Sequence, residues 1–256
     1  GVCVNEALLL SRGAVREIVK LPAATLPTLF IPLFFLAVNI GQVSKTFNAK
    51  NAPFLFGQSY VAFQVPVSLV FAVATATSGL ALVTDIDLGY FDKLLVAPIR
   101  RTSIVLSRLA ADFVRGLITS TLVLLLGLAF GMRVASGVGG AVLIVLLAAS
   151  FGVAYAGIGQ TIALKTRNVQ TTNASFIIFF PLLFLTPNFV PFDRLAEPMQ
   201  TLARYNPVSY VIEGLRSLIL EGFVASKILA CVAVIVVSGV LLTFLSLRAL
   251  ASYDKD

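Results

Sequence analysis

Residues 138–163 read VGGAVLIVLLAASFGVAYAGIGQTIA, a stretch without one Asp, Glu, Lys, Arg or His. As a helix it exceeds the roughly 20 residues that cross a hydrocarbon core about 30 Å thick. Working outward from it, comparable apolar runs occupy 23–43, 60–83, 109–131, 172–190 and 227–250. Across the 256 residues, 58% are hydrophobic and 12% charged, about half the charged share of a soluble domain. The reading is an all-α integral membrane protein, one transmembrane domain over 1–256 with six transmembrane helices. Pro22, Pro27 and Pro32 predict a kinked first span, tolerated where neighbours re-satisfy freed carbonyls.

Two segments flank the spans. Residues 4–20 place Val4, Ala7, Leu8, Val15, Ile18 and Val19 on one face and Arg12, Arg16, Lys20, Glu6 and Glu17 opposite, which predicts an amphipathic helix in the membrane interface. Between the fifth and sixth spans, prolines at 187, 191, 198 and 207 cut the chain into pieces too short to cross. Residues 208–220 are nonetheless amphipathic, with Glu213, Arg216 and Glu221 off the apolar face, Asn206 as cap and Pro207 in the first turn. The outer region 191–223 therefore reads as re-entrant or interfacial helices.

Charge sets the orientation. Twelve of the 19 Lys and Arg residues fall on one side of a six-span arrangement: Arg12, Arg16, Lys20, Lys93, Arg100, Arg101, Arg108, Arg115, Lys165, Arg167, Arg248 and Lys255. That side is the cytoplasm, with both termini on it. The net charge of +7 thus serves topology, and no nucleic-acid partner is expected. A seventh crossing at 208–220 would place Glu213 and Arg216 in lipid at a cost of several kcal/mol.

The chemistry of the spans narrows function. Their interior polar residues are neutral (Asn39, Gln64, Thr75, Thr77, Thr119, Ser120, Tyr155 and Gln160), which argues against an ion-coupled carrier or channel. Without histidine there is no conventional catalytic triad, and no metal or catalytic residues are expected. No Walker A motif is present; the nearest approach, Gly159 to Lys165-Thr166, has Leu164 where the second glycine belongs. Small-residue pairs Gly127/Gly131, Ala72/Ala76, Thr75/Gly79 and Gly152/Ala156 suit close helix packing. Phe30 and Phe34, and Phe176, Phe179, Phe180 and Phe184, lie at helical spacings that would make aromatic stripes. With Asn39 and Gln64 they are the candidate substrate path.

The loop 84–108 follows the second span and contains a short helix candidate, Leu88–Val96, stopped by Pro98 and followed by Arg100 and Arg101. Arg108, Asp112 and Arg115 then stand at ladder spacing. The expectation is a coupling element over 85–98, with Leu88, Phe91, Leu94 and Leu95 as apolar contacts and Asp87, Asp92 and Arg100 as orienting charges.

With these residues in hand, the sequence resembles the ABC-2-type permeases, and within them the daunorubicin-resistance-like drug exporters, over about Arg12 to Leu220. The resemblance rests on Asp87 and Gly89 with Leu94-Leu95 and Pro98, on Gly131-Met132-Arg133, on Phe184 through Pro191, and on the helix from Asn206-Pro207 to Arg216. It implies the type V ABC exporter fold: two six-helix permeases, as a homodimer or heterodimer, and two cytoplasmic ATPase subunits that hold ATP and Mg. It also implies a loop helix gripping the ATPase, Asn206, Pro207, Glu213 and Arg216 on an outer re-entrant helix, and a bacterial inner-membrane location. The expected cargo is an apolar or amphipathic drug-like or lipid-like molecule. Glycan or lipid-linked polysaccharide export is the alternative within the class. No cofactor is expected on this chain, and its remaining partner is membrane lipid.

Overall fold

The computed structural model describes residues 22–47, 51–75, 79–89, 91 and 101–253. The expected interfacial helix 4–20 and most of the expected helix Leu88–Val96 lie outside these residues. Nine α-helices follow one another: α1 (Pro22–Val43), α2 (Tyr60–Thr75), α3 (Gly79–Asp87), α4 (Arg101–Ala129), α5 (Gly137–Thr166), α6 (Val169–Phe184), α7 (Met199–Tyr205), α8 (Pro207–Leu220) and α9 (Ala225–Ser252), all among the described residues. Three are long and apolar enough to cross a membrane: Ile104–Ala129, Gly137–Thr166 and Ala225–Ser252. Shorter apolar helices cover Phe30–Val43, Tyr60–Thr75 and Val169–Phe184.

Several expected bounds shift. The run predicted over 60–83 is helical on both sides of residues 76–78, which lie outside the described residues, as α2 and α3. The helix predicted from 109 is already helical at Arg101, the first described residue after 91, so part of the expected loop belongs to α4. Gly131 lies beyond the end of α4 with φ +85, in the left-handed region glycine adopts without a Cβ penalty, so Gly127 and Gly131 do not share a helix face.

The sequence of α2 is apolar all round, and such a helix is stable only when surrounded. It is buried from Tyr60 to Ala74. Around it gather Ile144, Leu147 and Phe151 of α5, Phe179 and Leu183 of α6, and Val211, Ile212, Leu215 and Ile219 of α8. A second, smaller core at the opposite end joins Leu82 and Val83 of α3, Ile104, Val105 and Leu109 of α4, Ala156, Ala163 and Leu164 of α5, and Ala249 and Leu250 of α9, with Phe91. Close approach comes from small residues, since a Cβ built on Gly79 would sit 3.0 Å from the Gly159 backbone, and one on Gly157 would meet Leu242 at 2.8 Å.

At 14 residues, about 21 Å, α8 is too short to span. Its last carbonyls, which a helix end leaves unpaired, are met from two directions. Gln58 Nε2 donates to Ile219 O at 3.0 Å and Ser136 Oγ donates to Leu218 O at 2.7 Å. The Ala135 and Ser136 amides donate to Ile219 and Leu218. The α4–α5 turn is thereby fastened to α8.

Candidate functional site

Three clusters along the bundle contain the functional candidates. The first is the socket of Arg216. Sequence periodicity placed Arg216 off the apolar face of α8; its side chain is instead 4% exposed. Nε donates to Phe63 O at 3.3 Å, one terminal nitrogen donates to Pro187 O at 2.9 Å, and the other pairs with Glu213. The guanidinium also lies 3.6 Å from the Phe63 ring centroid. Arginine offers five donors in a planar fork, so one side chain satisfies all these partners at once. Burial lowers its pKa from the ordinary arginine value, and Glu213 opposes that by charge and hydrogen bond.

The same end holds the 186–189 turn. Gln64 Nε2 donates to Asn188 Oδ1 at 3.1 Å and Tyr60 Oη donates to Phe189 O at 2.9 Å. Asn206 caps α8 by accepting from the Val208 amide, while its amide nitrogen donates to Leu185 O at 3.0 Å and to Leu182 O. Leu182 and Leu185 stand at the C-terminal end of α6, where the last carbonyls have no intrahelical donor, and the Asn206 side-chain amide meets them there. Gln64 is therefore a buried brace between α2 and the turn, with Oε1 still unpartnered.

The second cluster is aromatic. Phe71 of α2 packs edge-on to Phe35 at 5.7 Å and to Phe180 at 5.8 Å, and is stacked near Phe179 at 6.0 Å. Phe35 meets Phe184 at 5.8 Å, and Tyr155 meets Phe179 at 5.0 Å. The aromatics of α1 and α6 do come together, through Phe35 and Phe71, which the stripe reading omitted. Phe30 and Phe34 stack on one another at 5.9 Å and are exposed on another face of α1. Phe179 is fully buried and fills the interior; Phe184 is partly exposed. The side chain of Phe176 lies outside those described. Asn39 is buried with Nδ2 unpartnered.

The third cluster lies around the second, smaller core. Arg108 pairs with Asp85 across α4 and α3. Arg115 pairs with Asp112 at 3.5 Å, and Gln160 Nε2 donates to Asp112 at 3.4 Å, drawing α5 into the same network. Phe91 is 1% exposed, its ring edge-on to Tyr253 at 5.1 Å. Arg167, the cap of α5, lies over the other partner of this contact, 4.0 Å from the Tyr253 ring, and donates to the Tyr253 carbonyl. Phe91 is thus an internal anchor in place of the free apolar contact expected of it. Leu88 is 75% exposed, Asp87 is exposed, and Gly89 takes φ +67 in the turn between them and Phe91. Asp92, Leu94, Leu95, Pro98 and Arg100 lie outside the described residues.

The ladder spacing pointed to Asp112 as the partner of both Arg108 and Arg115, and the Arg115 pair forms; the Asp85 and Gln160 contacts carried no local signal. Among the described residues, no group of three or more His, Cys, Asp or Glu is placed to hold a metal ion.

Relatives share most of this length. The chain is 25% identical over 223 residues to a probable doxorubicin resistance ABC transporter permease protein, DrrC, of Mycobacterium tuberculosis, covering 86% of this chain and 77% of that one. It is 28% identical over 220 residues to the daunorubicin resistance ABC transporter permease protein DrrB1 of Streptomyces coeruleorubidus, covering 83% and 75%. Similarity to the putative transport permease ycf38 of Porphyra purpurea is 26% over 217 residues, covering 83% and 73%. The family model described as ABC-2 type transporter matches residues 8–220, which include the Arg216 socket, the aromatic cluster and the Asp85, Arg108 and Asp112 contacts, and the chain belongs to that family.

Proposed function

We propose that this chain is the permease subunit of an ATP-driven exporter, crossing the bacterial inner membrane six times with both termini in the cytoplasm. It pairs with a second permease and with two ATPase subunits that bind ATP and Mg. The cargo is an apolar or amphipathic molecule, drug-like or lipid-like, taken from the cytoplasm or inner leaflet. Drug resistance in the names of the mycobacterial and Streptomyces relatives supports that class.

One observation carries the coupling half of this reading. The exposed turn at Asp87 and Leu88 is rooted by Asp85 to α4 and by Phe91 to the end of α9, where Arg167 adds the end of α5. A displacement of that turn therefore pulls on three long helices together. A solvated connector has no need of such roots. ATP, held by the separate subunits, supplies the energy, and this chain transmits the movement and provides the path.

Reconstitution of the permease with and without its ATPase tests the proposal. Export should require both chains and ATP. Accumulation of substrate by the permease alone, driven by a proton or sodium gradient, would overturn it.

A further inference from the structure

We propose that the inner end of α9 and the α5–α6 turn form a binding site for the phosphoryl headgroup of an anionic phospholipid. This rests on the chain's place in a membrane and is independent of what it transports.

The face of α9 that carries Val237, Leu241 and Phe244 is exposed, and only 11% of the most apolar window of that helix is buried. Such a stripe lies against acyl chains. At successive i+4 positions it continues into Arg248 and Ser252, both exposed, with the Arg248 guanidinium 4.9 Å from the Phe244 ring. Ser252 also borders a cavity of about 330 Å³ lined by Leu164, Lys165, Arg167 and Tyr253. The apolar stripe therefore runs into the basic cavity at Ser252.

The cations there, Lys165, Arg167 and Arg248, have no carboxylate partner among the described residues. The macrodipole of α5 places only about half a negative charge at its end, so three cations leave a positive excess. Arg167 is held in a left-handed cap position, φ 48, by Tyr253, which takes one of its N–H groups and leaves the others free to meet a ligand. Basic pockets between membrane helices at the interface suit anionic headgroups, while the apolar stripe selects a lipid over a soluble anion.

The test uses the purified full chain in neutral detergent, with phosphatidylglycerol and phosphatidylcholine of matched acyl chains added together and retention read by native mass spectrometry. Phosphatidylglycerol should be retained preferentially. Lys165→Gln should lower that preference about fivefold, and Lys165→Gln with Arg248→Gln about 25-fold, one interfacial cation at a time. Neither residue makes a hydrogen bond within the described chain, so melting temperature in phosphatidylcholine alone should stay at the wild-type value, which confirms that the variants are folded. Equal retention of the two lipids, or an unchanged preference in the double variant, overturns the site. So does displacement of the lipid by inorganic phosphate at matched ionic strength, which would make it a soluble-anion site. Asp254 and Asp256 follow in sequence; if neutralising them creates a preference absent from wild type, the chain's own tail is the occupant and the proposal fails.

Discussion

Arg216 and Phe63 are joined twice: the guanidinium lies 3.6 Å from the phenyl ring, and its Nε donates to the Phe63 backbone carbonyl. The 14-residue α8 is thereby fastened to the most buried helix of the bundle. Replacing Arg216 by Ala would leave Glu213 and two carbonyls without their donor, a loss of about 3–5 kcal/mol for a broken buried pair. Arg216→Lys should recover little, because an ammonium has no planar fork. Thermal unfolding in detergent measures both, and wild-type stability in Arg216→Lys would remove the fork from the account.

The inner end offers a separation of docking from transmission. Leu88→Glu alters an exposed side chain and should release the ATPase from purified complexes while the permease remains folded. Phe91→Ala empties a buried contact on Tyr253 and should leave the ATPase bound but slow transport at least tenfold. Co-purification and transport assays on the two variants decide; identical phenotypes would mean that Leu88 and Phe91 do not have different tasks.

Topology is open to labelling once Cys3 and Cys231 are replaced. Arg216 is too buried to report, whereas Tyr205 is 82% exposed on α7. Tyr205→Cys should react with a membrane-impermeant maleimide added to intact cells, and Leu88→Cys only after the cytoplasmic side is opened. The reverse pattern would invert the proposed orientation.

The α3–α5 crossing depends on glycine. A Cβ at Gly79 meets the Gly159 backbone at 3.0 Å, and backbone cannot rotate away as a side chain can. Gly79→Val should therefore cost about 1–3 kcal/mol through overpacking, read as a lowered melting temperature. An unchanged melting temperature would show that the two helices separate freely.

Much of the fold was legible because helix-forming, apolar runs and their breakers are local properties. Residues 138–163 announced a span that emerged as Gly137–Thr166, and the Asn206-Pro207 signal announced α8. Facing was harder to read. Lipid is as apolar as leucine, so periodicity on a membrane helix does not separate inside from outside. Helical spacing thus marks Phe30 and Phe34 as a stripe but does not show that their neighbour Phe35 is the one that meets Phe71 and Phe184.

By itself, then, the sequence determined the class of solvent and the position of most helices, since composition and short-range spacing are sufficient for each. Tertiary structure decided the partners. Arg216 reaches Phe63 across 153 positions and Arg167 reaches Tyr253 across 86. Whether a charged residue on a short helix is solvated or seated among carbonyls depends on which distant backbone has unpaired oxygens at that place, and only packing brings those oxygens there.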